Sequence, residues 1–379
     1  MGFTPLALEE WHSRHEHTVA ANLADSSVPA IRLAELLPDA EALGRLGRLA
    51  LDYPLSIGTA RLRELIADWV GVDPSWVLVT VGAAEAVGNV VTSLVSAGDD
   101  VVVIEPGYRQ VRGIATNLGA RVNTVVVRPE DRWQLDLGQL DAAVDAGTRL
   151  IALNNPNNPL GTVFMPDEMD GIVRTAARHG AWLLADEVYR GSERTSDEVT
   201  PSFAGRYDKV VSVGSLSKSF GLPGLRIGWL AAPPDIVEAA CRRHEYATIA
   251  ASVVSMHLAE IAMEPHRRDA LLARGRAHIR RGYERLRHWI ELSAGLLSIV
   301  PPDATATAFV RYHVDVPSID VAHAIRTEAG VLVGVGAHFG GEGHLRIGHT
   351  VGADRLDAAM PAIIAVLRRQ EARVGNCER

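Results

Sequence analysis

Seven short runs of apolar, mostly β-branched residues recur between residues 77 and 231, and stretches with helical spacing separate most of them. The runs are VLVTV (77–81), VVVI (101–104), NTVVV (123–127), LIALN (150–154), AWLLAD (181–186), VVSVG (210–214) and IGWLA (227–231). A strand that is apolar on both sides of its pleat has to be covered on both faces. Such strands alternating with helical segments, among them 83–96, 107–118 and 166–179, predict an α/β fold with a mostly parallel, seven-stranded, doubly wound sheet. Beyond Pro233-Pro234 the rhythm changes. Helical stretches to about 262 and over 268–292 lead into TAFVRYH (307–313), a helix at 318–329, GVLVGV (330–335), HLRIGH (344–349) and a last helix at 353–369, which predicts a smaller α+β domain. The expected division is a large domain over 51–290 and a small one over 291–379. Residues 1–50, with helical LALEEWHSRHEH and AELLPDAEALGRLGRLA, are expected to pack with the small domain.

Charge and cysteine content narrow the function classes. The net charge is −8, from 46 acidic and 38 basic residues, and no dense Lys/Arg block offers a phosphate-tracking surface, which argues against a nucleic-acid partner. Cys241 and Cys377 are the two cysteines, too few for a disulfide framework. Residues 1–20 carry Glu9, Glu10 and Glu16, and no apolar run approaches 18 residues, so neither a secretory leader nor a membrane span is expected. These features point to a cytoplasmic protein. Thirty-six of the 38 basic residues are arginine, leaving only Lys209 and Lys218 as lysines. Arginine neither gives up its proton nor forms an imine, whereas a partly desolvated lysine can do both.

Six segments sit at the carboxyl ends of predicted strands or in nearby turns, where open α/β sheets bind ligands: YPLSIG (53–58), TVGAAEAV (80–87), EPGY (105–108), NNPNNPLG (154–161), ADEVYRG (185–191) and SLSKSFGLPGLRIG (215–228). Lys218 lies just past a strand in a serine- and glycine-rich turn, placed to meet a phosphate or form a Schiff base. Asp186 ends a strongly apolar strand, so its carboxylate needs a cationic partner to stay ionised; a pyridinium N–H would serve, as would an arginine or a helix cap. Tyr189 faces the same pocket or packs in the core. Gly82-Ala83-Ala84 opens a helix directly after a strand, either a phosphate cradle or simple connection geometry. Arg226 could hold a phosphate bidentately. Asn158 could donate its amide to a ring oxygen, although turn chemistry alone also explains its segment.

Taken together, the six segments resemble the class I/II aminotransferases, pyridoxal-5′-phosphate enzymes of fold type I, in order and spacing over most of the chain. The resemblance makes Lys218 the Schiff-base lysine and the base that moves the α-proton. It puts Asp186 on the pyridine nitrogen, Tyr189 and Asn158 on the ring 3-oxygen, and Tyr108 on the ring face. The phosphate would be held by Gly82, Ala83 and Ala84, by Ser215 and Arg226, and by Tyr53 reaching across a homodimer interface. Arg346 of HLRIGH would take the substrate α-carboxylate. The chain departs from the family at Ala84, where Ser or Thr is usual, and at Leu160, where Thr is usual. The implied substrates are an amino acid and a 2-oxo acid, and the implied reaction is amino transfer, with no metal. A looser resemblance, carried by LEEWHSRHEH, NLADSSV and HEYATIAAS (244–252), is to capreomycidine-synthase-like enzymes of nonproteinogenic amino-acid biosynthesis, and it keeps cyclase, oxidase or lyase chemistry on an arginine-derived substrate as the alternative. Asp25, Glu16 and Glu245 could meet a basic side chain or be ordinary surface acids. A nicotinamide-dependent Rossmann enzyme would place G-x-G-x-x-G after the first sheet strand, and none is there. About 50 residues precede YPLSIG, too few for a DNA-binding winged helix with its linker.

Overall fold

The computed structural model of the protein describes residues 2–37 and 39–377, and the side chains of Asn376 and Cys377 fall outside what it describes. In chain order the first half forms α1 (Ala7–His15), β1 (Ala21–Asn22), α2 (Leu33–Leu36), α3 (Ala40–Gly47), α4 (Ala60–Val70), β2 (Val77–Thr80), α5 (Ala83–Leu94), β3 (Asp100–Glu105), α6 (Gln110–Asn117), β4 (Arg121–Val126), α7 (Leu137–Ala143), β5 (Thr148–Asn154), α8 (Pro166–His179) and β6 (Trp182–Asp186). There follow β7 (Val210–Ser215), β8 (Gly228–Ala231), α9 (Pro234–Ala247), α10 (Val253–Met263), α11 (Pro265–Leu292), β9 (Leu297–Ile299), β10 (Thr307–Tyr312), α12 (Ser318–Ala329), β11 (Val331–Leu332), β12 (Gly334–Val335), β13 (His344–Gly348) and α13 (Ala353–Cys377).

The seven apolar runs become one sheet in the order β2-β8-β7-β6-β5-β3-β4. Only β8 runs antiparallel to its neighbours; the other pairings are parallel. The two faces of the sheet have separate cores. Val102, Ile151 and Leu183 pack against α7 and α8, whereas Val101, Leu150 and Leu184 pack against α5 and α9. Each such buried aliphatic side chain contributes roughly 1.5–3 kcal/mol before the entropy of ordering is subtracted. Local signals set the helix ends. Asp136 accepts hydrogen bonds from the Gly138 and Gln139 N–H groups to start α7, and α8 begins with Pro166 and ends on Gly180 in the left-handed conformation.

The second sheet, β12-β13-β10-β9, is antiparallel. Its core joins Ile325 of α12, Leu286 of α11 and Ile363 of α13 to Val310 and Leu345. The N-terminal segment divides between the two cores. Trp11 and Leu23 belong to the small-sheet core, the Trp11 indole N–H donates to the Val333 carbonyl at 2.9 Å, and β1 pairs with β11. Leu36, Leu37 and Ala42 instead pack with Leu62, Ile66 and Trp229 of the large sheet's flank. The expectation that residues 1–50 pack as a unit with the small domain is therefore corrected for 33–47, whose apolar side chains meet α4 and α10.

Two other expectations also change. The helical region to 262 is broken after Ala247, where Ile249 adopts φ +69° and the Thr248 hydroxyl leaves the helix to donate to Glu85. GVLVGV is two short strands because the chain changes partner at Val333: Leu332 pairs with Asn22 and Gly334 with Arg346.

Candidate active site

The order of the large sheet reverses between β3 and β5. β4 is laid on one side of β3, and β5, β6 and β7 on the other, so a crevice opens beyond the carboxyl ends of β3 and β5. There the Tyr108 N–H donates to Asn154 Oδ1 at 3.3 Å. A cavity of about 500 Å³ occupies this crevice and extends to Arg346. Of the residues expected in the site, it brings together Ala83, Ala84, Tyr108, Asn158, Asp186, Tyr189, Ser215, Lys218, Arg226 and Arg346.

Asp186 ends β6 in register with Asn154 of β5. Asn154 Nδ2 donates to one carboxylate oxygen at 2.9 Å and the Val188 N–H to the other at 3.2 Å. Burial still raises this carboxyl to about 6, against the opposing pull of the Val188 N–H, the Lys218 charge and Asn154. A cation seated against Asp186 would restore its ionised form. Lys218 is occupied elsewhere, its Nζ donating to Ser26 Oγ at 2.9 Å. Lys209 has a different task, donating to the Gly180 carbonyl at the end of α8 at 2.8 Å.

Tyr189 is 2% exposed, and its hydroxyl has no hydrogen-bond partner among the described residues. An orphan of this kind costs about 1–3 kcal/mol unless something supplies an acceptor. Asn158 Oδ1 accepts from Arg346 Nη1 at 3.0 Å, which leaves the side-chain N–H groups as the donors Asn158 can offer a ligand. Arg346 comes from β13 of the small sheet and is buried. Its Nη2 donates to the Ala24 carbonyl at 2.5 Å, its guanidinium lies 4.8 Å from the Phe339 ring centre, and its Nε has no partner among the described residues.

At the other end of the cavity the β2–α5 turn forms a cradle. Gly82 precedes α5 at φ +79°, and the Ala83 and Ala84 N–H groups find no acceptor among the described residues. A Cβ on Gly82 would lie 2.4 Å from Arg226 Nη2, and one on Gly228 would lie 2.4 Å from the Ala83 nitrogen. The two glycines thus let Arg226, β8 and the helix N-terminus converge. Free N–H groups, the helix dipole and a guanidinium together make an anion site. Ser215 lies beside it, bonded to Ser217 through both the Ser217 N–H and the hydroxyls, each at 2.9 Å.

Tyr53 lies outside this cavity, 88% exposed on the loop before α4. Glu245 also lies outside it, its carboxylate accepting from Ser56 Oγ at 3.0 Å, which fits the surface-acid alternative of its two readings. Glu16 and Asp25 do line the wall, together with Glu9 and His12. Burial, reinforced by the charges of Arg346 and Lys218, lowers His12 to about 3, which keeps its imidazole neutral. Sequence reasoning missed Ser26, His12 and Glu9, whose placement depends on how the N-terminal segment crosses the cavity. Asn154 could have been found, because a strand-end amide in register with Asp186 is its natural donor.

The class I and II aminotransferase family model matches residues 21–363. The chain is 31% identical to capreomycidine synthase of Streptomyces vinaceus over 362 residues, covering 94% of this chain and 92% of that protein. Among solved structures, a PLP-dependent aminotransferase from Streptococcus suis superposes with a TM-score of 0.90 at 32% identity, covering 98% of this chain and 99% of that one. The PLP-dependent cyclase OrfR superposes with a TM-score of 0.88 at 26% identity, covering 97% and 98%. The chain therefore belongs to the class I and II aminotransferase family, pyridoxal-5′-phosphate enzymes of fold type I.

Proposed function

We propose that the protein is an aminotransferase that moves an amino group between an amino acid and a 2-oxo acid, with pyridoxal 5′-phosphate held in the cavity described above. The carrying observation is that a lysine from the turn after β7, a buried carboxylate at the end of β6 and a buried arginine of β13 line one cavity. The residues fit the cofactor: the Tyr189 hydroxyl is an orphan donor among the described residues, the Lys218 charge does not offset the burial of Asp186, and the glycine-lined turn at Gly82 is a cradle that a Cβ would fill.

Bound there, pyridoxal phosphate supplies an electron sink that weakens the Cα–H bond of the amino acid. Asp186 would face the ring nitrogen and keep a proton on it, its own carboxyl drawn to the ionised form by that charge. Tyr189 and the Asn158 amide would donate to the ring 3-oxygen, and Tyr108 would cover a ring face. Gly82, Ala83 and Ala84, with Ser215 and Arg226, would hold the phosphate. Lys218 would be the attachment point and then the base that takes and returns the Cα proton. Arg346 would orient the α-carboxylate as a clamp already fixed by Asn158 and Ala24, so that little freedom is lost when substrate binds. Tyr53 would reach the phosphate of a partner subunit in a homodimer.

A second reading, cyclisation of an amino acid with a basic side chain, is favoured by the similarity to capreomycidine synthase and to the cyclase OrfR, and by the Glu9, Glu16 and Asp25 wall. Product analysis separates the two. The first reading expects an amino acid alone to yield one equivalent of 2-oxo acid per site and then stop, with turnover resuming when an oxo-acid acceptor is added. Sustained turnover without acceptor, with a cyclic amino acid accumulating, overturns it in favour of the second.

A further inference from the structure

Beneath the cradle lies a polar group that the proposed chemistry does not use. Glu85, in the first turn of α5, turns its carboxylate away from the cavity. One oxygen accepts the Val81 N–H at 2.5 Å. The other accepts the Thr248 hydroxyl at 2.6 Å and faces His244 Nδ1 at 3.0 Å. His244 is fully buried, and its Nε2 has no partner among the described residues. With the proton on Nδ1, the imidazole donates to Glu85 and leaves only a lone pair unmatched, so this is the tautomer the surroundings favour. All three donors thus converge on one carboxylate, and although burial works to raise Glu85, the hydrogen bonds from His244, Thr248 and Val81 bring it below the ordinary range.

The position of this group matters more than its strength. A glutamate in the first turn of a helix commonly folds back to the N-cap N–H. Here the Gly82 N–H is already bonded to the Thr80 carbonyl at 2.9 Å, and Glu85 reaches past it to Val81. The N–H groups of Val81 and Gly82 are thereby committed, while those of Ala83 and Ala84 are left for a ligand. The same carboxylate would repel a phosphate if it swung toward the helix N-terminus, and His244 and Thr248 hold it on the far side. From these contacts we infer that Glu85, held by His244 and Thr248, is a positioning residue for the cofactor phosphate, fixing the direction of the Ala83 and Ala84 N–H groups. The inference rests on the reading that the cradle at Gly82 takes that phosphate.

The test compares pyridoxal phosphate with pyridoxal, which lacks the phosphate, by absorbance titration of cofactor-stripped full-length chain. Glu85→Ala is expected to weaken pyridoxal phosphate about ten- to hundred-fold, the range for losing a charge-assisted hydrogen bond, and to weaken pyridoxal less than about threefold. Glu85→Gln, which keeps an acceptor for Val81, should recover most of the difference, and Thr248→Val should show a smaller loss in the same direction. A general loosening of the fold would weaken both ligands alike. The inference is overturned if the ratio of the two affinities stays within about twofold of wild type in Glu85→Ala and Thr248→Val. Should Glu85→Ala fail to fold, Thr248→Val decides alone. A wild-type chain that takes up no pyridoxal phosphate would instead overturn the underlying reading of the site.

Discussion

Asp186 concentrates the electrostatics of the site in one side chain. Its carboxyl is raised from 3.8 to about 6 by burial, so the folded, cofactor-free protein holds that proton more tightly than the unfolded chain does. The stability penalty is absent below about pH 4, grows as pH rises through the window between the two values, and is complete above about pH 6, where it is on the order of 2–3 kcal/mol. Asp186→Asn should therefore stabilise the cofactor-free protein at pH 7 to 8, lose that advantage at pH 4, and abolish turnover. Urea unfolding across that pH range measures the first two effects; a variant less stable than wild type at pH 8 would show that the carboxylate is satisfied as it stands. Asp186 was legible because an acid closing an apolar strand is anomalous, and Lys218 because arginine fills nearly every other basic position. Ser26 was not legible: it meets Lys218 across 192 residues, and no spacing rule spans such a gap. His12 became informative only once burial beside Arg346 and Lys218 was known.

At the level of elements, strands were easier to read than the joints between them. Burial on both faces leaves its mark on every residue of β6 and β7 and on the Leu150–Leu153 run of β5, whereas the break after Ala247 goes with a side-chain contact from Thr248 to Glu85 that no local propensity encodes. The packing of α2 and α3 was misplaced for a similar reason. Their apolar faces show that they need a partner, but not which core provides it. The junction of β2, α5 and β8 offers a sharp test, because Gly228 brings β8 against the Gly82–Ala83 peptide, with the position of a Cβ 2.4 Å from both the Gly82 carbonyl carbon and the Ala83 nitrogen. These are backbone atoms and cannot rotate aside. Gly228→Ala should cost roughly 1–3 kcal/mol, the usual penalty of overpacking, and should loosen pyridoxal phosphate further by displacing the cradle. Denaturant unfolding and cofactor retention on gel filtration check both effects. Unchanged retention in a destabilised variant would separate the packing of β8 from the phosphate site.

The whole molecule places Arg346 of one sheet within hydrogen-bonding distance of Asn158 beside the other, so the cavity exists only where the two sheets and the N-terminal segment meet. A single chain still leaves Tyr53 out of that cavity. It also exposes Leu51, Tyr53 and Leu55 on one loop, and Tyr246 and Ile249 at the α9–α10 corner, with Tyr246 97% accessible. The Ser56–Glu245 hydrogen bond ties that loop to α9. Large apolar side chains left in water mark a surface that another protein can cover, and we propose that a second copy of the chain covers this one. A two-fold dimer would bury these side chains and deliver Tyr53 to the opposite site. Mixing two impaired variants tests this geometry directly. Lys218→Ala removes the attachment point from its own cavity but carries an intact Tyr53, whereas Tyr53→Phe keeps Lys218 but lacks the hydroxyl. If Tyr53 serves the partner, one of the two sites in each hybrid dimer has both groups and the other has neither. Hybrids form about half of a randomly re-associated mixture, so recovered activity should approach about a quarter of the wild-type value. If Tyr53 served its own subunit, every hybrid site would lack one group, and mixing would yield no more than the average of the parents.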